Sequence, residues 1–258
     1  MLMMQKAKKE AFSVSSLCGI AQGQESMEAN IQKWGQLYQI AGFAAIAMLV
    51  LIPIQIAVFS VFPIPSSAKE WFLLYQSNWL MGLIHQDMLY IINNVLVAIL
   101  YLGFYAALKP KNESLMTVAM LLGFLGIAAY LASNKSFEML GLSKLYFAAG
   151  TEAEKAMLLI AGQAMLLEWQ GTAFDIYYVL NGIALILIAL VMQKSAVFTK
   201  KTALIGLISG ILMMVPSTAG TLGLVFSLLS LIPWYIFSIL VANRFLRMGK
   251  KPAEQAHK

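Results

Sequence analysis

The chain reads as all-α, a polytopic membrane helical bundle of six transmembrane helices with an outer-side helical hairpin. Three observations predict this. Of 258 residues, 60% are hydrophobic and 12% charged, against roughly 25% charged in soluble domains. Six apolar stretches, at about 38–62, 88–108, 115–133, 174–192, 202–218 and 220–243, match the ~20 residues a spanning helix needs, and only the fourth holds an acid or base, Asp175. The 18 lysines and arginines also alternate by gap. With the N-terminus inside, the inner segments hold Lys6, Lys8, Lys9, Lys33, Lys109, Lys111, Lys194, Lys200, Lys201, Arg244, Arg247, Lys250, Lys251 and Lys258, and the outer ones only Lys69, Lys135, Lys144 and Lys155. This positive-inside bias predicts a multi-pass membrane protein with both termini cytoplasmic.

Residues 1–37 are polar, with a basic cluster at Lys6, Lys8 and Lys9, and read as a cytoplasmic tail leading into a surface helix. Residues 11–20 are too short and too hydroxylated a run for a secretory signal, so the N-terminus reads as uncleaved. Cys18 is the single cysteine, which excludes an internal disulfide and a cysteine-rich metal site; Leu17 before it argues against a lipid anchor. The membrane domain, 38–246, opens with a span that carries Pro53 past its middle and Pro63 and Pro65 at its exit, which predicts a kink and then a rigid extended exit. The stretch Ala68–Ile84 is aromatic, with Trp71, Phe72, Tyr75 and Trp79, and suits the outer interface.

Beyond the third span, the gap of about 134–172 is too long for an idle loop. Its pattern predicts helices at about 135–148 and 152–168. The second opens with a capping box, Thr151 and Glu154, directly after Gly150. The last two spans are separated by a tight uncharged turn around Pro216–Gly223, and a basic cytoplasmic tail follows at 247–258. Leu231-Ile232-Pro233 repeats Leu51-Ile52-Pro53; two repeated halves would suggest a transporter, but one shared tripeptide is weak support.

Polar residues inside the spans carry what functional signal there is. Counted inward from the outer ends, Gln55, Asn94, Asn181 and Ser227 share one depth, about 10 Å below the boundary at 1.5 Å per residue. Asp87, Tyr90 and Asn94 are spaced to share a helix face, as are Tyr177, Tyr178 and Asn181. His85, Gln86, Asp87 and Asp175 lie above them, and Glu168 and Gln170 enter from the hairpin. The pattern predicts an outward-facing polar pocket for a small neutral or lipid-like ligand, with His85, Asp87, Tyr90, Asn94, Glu168, Asp175, Tyr178 and Asn181 as candidate residues. The plainer alternative has amides and hydroxyls bridging helices and the aspartates capping helix starts.

Catalysis is poorly supported. No G-x-S-x-G, H-E-x-x-H or phosphate-cradling glycine loop occurs. His85 and His257 are the two histidines, and His257 lies in the tail, so no multi-histidine metal site forms and no cofactor is expected. A His85–Glu168 dyad is the remaining acid–base arrangement. Ion coupling lacks a charged residue near the midplane. The net charge of +6 sits beside span ends, where orientation and anionic headgroups account for it, so membrane lipids rather than nucleic acid are the expected partner. Oligomeric state is not legible. Three classes stay open: a ligand-binding or permeation protein, a non-catalytic accessory envelope protein, and an intramembrane enzyme.

The order of Asn134-Lys135-Ser136-Phe137-Glu138-Met139-Leu140, Tyr146-Phe147-Ala148-Ala149 and Gly171-Thr172-Ala173-Phe174 resembles a bacterial membrane family known as a domain of unknown function. Trp79-Leu80-Met81-Gly82-Leu83 and Ile232-Pro233-Trp234, with Arg244 beyond, extend the resemblance over about 35–250. It implies a six-span bacterial envelope protein with no established reaction, and no catalytic residue is carried over.

Overall fold

A computed structural model describes the backbone of residues 2–255 and the side chains of residues 29, 30 and 32–250. The tail expected over 1–37 and the tail expected over 247–258 fall largely outside the described side chains. Ten α-helices follow in order: α1 Leu2–Val61, α2 Ala68–Ser77, α3 Trp79–His85, α4 Met88–Leu108, α5 Glu113–Ser133, α6 Ser136–Ala148, α7 Glu152–Trp169, α8 Thr172–Gln193, α9 Lys200–Met213 and α10 Gly220–Gln255. No strand occurs among the described residues.

Among the described residues five stretches are long and apolar enough to cross a membrane: Gln32–Val61, Met88–Leu108, Glu113–Ala148, Glu152–Gln193 and Gly220–Lys250. The span expected at 202–218 is helical only over Lys200–Met213. Pro216 disfavours helix in the residue before it, and a turn carries the chain on to Gly220 at φ 62°. Fourteen residues rise about 21 Å, short of a 30 Å hydrocarbon core.

α1, α4, α5, α8, α9 and α10 form the bundle, with α1 against α10 and α4, α5 against α8, and α9 between α8 and α10. The core is densest at one end, where Tyr38 stacks on Phe245 at 5.7 Å and Phe104 packs on Phe198, Phe237 and Phe245. This end also gathers Lys109, Lys111, Lys194, Lys200, Lys201, Arg244, Arg247 and Lys250, and is called the basic end below. Lys109 sits over the Trp34 and Tyr105 rings at 5.3 and 5.2 Å. Small residues let the helices close up: a Cβ at Gly126 would strike the Asn181 side chain, and one at Gly210 would lie 3.0 Å from the Gly182 carbonyl oxygen.

Pro53 lies within α1. Lacking an N–H, it leaves the Leu49 carbonyl four residues back without its helical donor. Tyr235 of α10 supplies the bond instead, its hydroxyl donating to the Leu49 oxygen at 3.1 Å.

The opposite end carries a cap built from α2, α3, α6 and α7 with a core of its own: Trp71, Phe72, Tyr75, Leu83, Met139 and Trp169. The aromatic stretch expected to face an interface thus turns Trp71, Phe72 and Tyr75 inward, while Trp79 and Leu80 remain exposed. Tyr75 donates to Gln86 Oε1 at 2.6 Å, Ser143 to the Phe72 carbonyl at 2.8 Å, and both Asn134 Nδ2 and Ser136 Oγ donate to the Gln86 carbonyl. These bonds tie α2 and α6 to each other and to the α3–α4 junction. The expected capping box is present: Thr151 Oγ1 accepts from the Glu154 N–H, and Glu154 accepts from the Thr151 N–H.

Candidate functional site

A cavity of about 240 Å³ lies between α1, α4, α8, α9 and α10, in the half of the bundle nearer the cap. α1 contributes Ile52, Gln55, Ile56 and Phe59; α4 contributes Tyr90, Asn93, Val97 and Tyr101; α8 contributes Tyr177, Tyr178, Asn181 and Leu185. Ser209 and Met213 of α9 and Ser227, Leu228, Ser230, Leu231 and Trp234 of α10 complete the wall. No Asp, Glu, Lys, Arg or His lines it.

Its polar groups divide into satisfied and unsatisfied. Asn181 is fixed on both sides: its Oδ1 accepts from the Tyr101 hydroxyl at 2.7 Å and its Nδ2 donates to the Tyr177 carbonyl at 3.0 Å. Asn93 is 7% exposed and its Oδ1 has no partner. A buried amide oxygen left without a donor costs about 1–3 kcal/mol. Tyr90, Tyr130, Phe174, Tyr177 and Tyr178 form an aromatic cluster with centroids 5.0–6.3 Å apart, closing the cavity toward the cap.

The wall toward α1 and α10 is thin. Ile56 and Leu228 line the cavity yet are 51% and 56% exposed on the outside. Beyond Met48 no side chain of α1 is buried, whereas at the basic end the same two helices enclose Tyr38, Ala41, Ala45, Val241, Ala242 and Phe245.

Of the eight residues picked out from the sequence, Tyr90, Tyr178 and Asn181 line the cavity. Asn94 is fully buried but is not part of the wall; its Nδ2 donates to the Tyr90 carbonyl at 3.0 Å, and its neighbour Asn93 takes the cavity position. The other four belong to the cap junction. Asp87 stands at the N-cap of α4 in the left-handed region, φ 68°, and makes no side-chain cap; its carboxylate instead accepts from the Trp169 indole N–H at 2.9 Å. Burial pushes the Asp87 carboxyl up to about 6, against the pull of that bond. Asp175 accepts from the Thr218 hydroxyl, fastening the turn after α9 to the start of α8.

His85 and Glu168 do not form a dyad. Glu168 pairs with Lys135 at 2.8 Å. His85 is buried with Nδ1 and Nε2 facing the Met81 and Phe62 carbonyl oxygens at 3.0 and 3.1 Å, and a neutral ring donates to one of them only. Both rings of Phe59 and Phe62 meet it edge-on. Among the described residues no group of three or more His, Cys, Asp or Glu side chains is placed to hold a metal.

Sequence reasoning missed Asn93, Tyr101, Ser209, Ser230 and Trp234. Tyr101 and Ser209 lie deeper than the depth count reached. Ser230 and Trp234 would have followed from extending the Ser227 face by three and seven residues.

No curated protein and no solved structure matches the chain. A family model spans residues 40–249, from within the apolar part of α1 to the basic end of α10. The chain therefore belongs to the family described as Domain of unknown function (DUF4386).

Proposed function

We propose that this is an integral membrane protein of a bacterial inner membrane that binds a small neutral or lipid-like molecule in the cavity between α1, α4, α8, α9 and α10. It crosses the bilayer six times with its basic end cytoplasmic and its cap outside. α9 counts as a crossing because the turn after it continues to Thr218, which bonds to Asp175 beside the start of α8. An even number of passes returns both termini to the basic end, where the charge asymmetry wants them.

The observation that carries the binding reading is a cavity of about 240 Å³ walled by tyrosines, asparagines and serines and without a formal charge. An ion would lose its hydration there with no counter-charge to replace it. A molecule with one small polar group and an apolar body meets the asparagine and tyrosine side of the wall and covers Ile52, Leu231 and Trp234. The volume is just below the 300–1,000 Å³ of drug-sized sites, so one small molecule or one chain end fits. The thin wall at Ile56 and Leu228 favours entry from the bilayer between α1 and α10.

Native mass spectrometry of protein extracted gently from its own membrane tests this. The wild type is expected to carry one neutral adduct at unit stoichiometry, and Asn93→Leu with Asn181→Leu to lose it. A bare wild type, or adducts identical in the double variant, would sink the binding reading.

A further inference from the structure

The geometry points to a second site, at the basic end of the bundle: a recess formed by the α8–α9 connection, the start of α9 and the last turns of α10 that binds a phosphate group. The group belongs either to the headgroup of an anionic phospholipid or to free phosphate. The recess holds about 520 Å³ and is lined by Phe198, Thr199, Thr202, Asn243, Arg244 and Arg247, among others. On α10, Asn243, Arg244 and Arg247 are spaced so that one face of the helix presents an amide and two guanidinium groups together.

Among the described residues no carboxylate neutralises the two arginines. Among the described residues the ion pairs are Lys135–Glu168 and Lys155–Glu152, both in the cap, and neither Arg244 nor Arg247 has a carboxylate within reach. The Arg244 Nε is buried with no acceptor. A guanidinium N–H withdrawn from water and left empty is costly, as is placing a second guanidinium beside it. An anion with several oxygens offsets the repulsion between the two guanidinium groups, and the planar fork of arginine matches phosphate.

The surroundings are held in place for this task. Phe198, which precedes Thr199, is buried between Phe104 and Phe245, at 6.0 and 5.6 Å. Thr199 caps α9, its Oγ1 accepting from the Thr202 N–H at 3.1 Å. The start of α9 thus adds its positive field at the rim of the recess. The nearby Lys200 and Lys201 raise the local concentration of anions without being part of the lining.

The test uses the full chain in a neutral detergent and reads the midpoint of thermal unfolding against added phosphatidylglycerol, diacylglycerol and inorganic phosphate. Phosphatidylglycerol is expected to raise the midpoint saturably and diacylglycerol to leave it unchanged. An equal rise with inorganic phosphate identifies free phosphate as the ligand; a rise with phosphatidylglycerol alone identifies the lipid headgroup. Arg247 is exposed, so Arg247→Gln leaves the core intact and is expected to abolish the response. Arg244→Lys keeps the charge but loses the fork and is expected to weaken it about tenfold. Lys194→Gln removes the same charge from the same end and is expected to respond as wild type. The proposal is overturned if no phosphate-bearing ligand shifts the wild type, if diacylglycerol acts as well as phosphatidylglycerol, or if Arg247→Gln and Lys194→Gln behave alike.

Discussion

Asn93 and Asn94 are adjacent, and only one of them lines the cavity. Counting on from Tyr90, three residues give Asn93 and four give Asn94, both inside α4, and packing rather than spacing puts Asn93 in the cavity wall. Tyr178 and Asn181 were legible because both lie inside the regular part of α8. The Tyr235–Leu49 bond was half legible, since Pro53 announces a carbonyl without a donor, while the residue that supplies one lies 186 positions away. Tyr235→Phe should cost about 1 kcal/mol in thermal or denaturant unfolding. Pro53→Ala restores an N–H to the Leu49 carbonyl, so in that background the same change should cost much less. Equal costs in both backgrounds would contradict the assignment. Asp87 gives a pH signature. Its folded form holds a proton up to about 6, above the unfolded value of about 3.9, so the native state binds more protons between the two. Stability should be fully present below about pH 4, decline as pH rises through that window and level off above it. Asp87→Asn keeps an acceptor for the Trp169 indole and should flatten this slope, leaving the protein about 1–3 kcal/mol more stable at pH 7.5; an unchanged slope would reassign the titration to another group.

Among the elements, the boundaries of α4, α5, α7 and α8 follow from apolar run length and from caps such as Thr151, and the observed helices start and stop close to those signals. α9 is the exception, because apolar content continues to Met214 and Val215 after helix geometry has been ended by Pro216. Composition measures what a segment can bury, not how far its hydrogen bonds run. The cap was misread for a related reason. An aromatic face suits a lipid interface and a protein core equally well, and the partners that decide the matter, Met139 and Trp169, lie 60 to 100 residues downstream of Trp71. Gly162 is a close approach of α7 to α2: a Cβ there would lie 2.6 Å from Phe72 Cζ and 3.2 Å from Ala68 Cβ. Gly162→Leu should therefore part α7 from α2, costing about 1–3 kcal/mol. Limited proteolysis is expected to cut the variant between α6 and α7 while far-ultraviolet circular dichroism stays close to wild type. Resistance equal to wild type would mean that the cap does not pack as described.

At the scale of the whole molecule, the chain segregates charge and space. Cap lysines Lys135 and Lys155 are paired with carboxylates, while among the described residues the arginines of the basic end are not, so the asymmetry read from the sequence is sharper in the fold than in the count. That helices are long and apolar follows from composition alone. The cavity does not, because a void depends on which side chains fail to fill a junction of five helices, and period and spacing carry no term for volume. The measurement that tests the cavity's role most directly replaces Phe59, which lines it, with a benzoylphenylalanine photocrosslinker and irradiates the protein in its native membrane. The account predicts a single neutral species attached at this position and absent from the same probe placed at Ile46, which is exposed on the outside of α1. The same mixture of bulk phospholipids at both positions, or crosslinks from Phe59 to neighbouring helices alone, would contradict it.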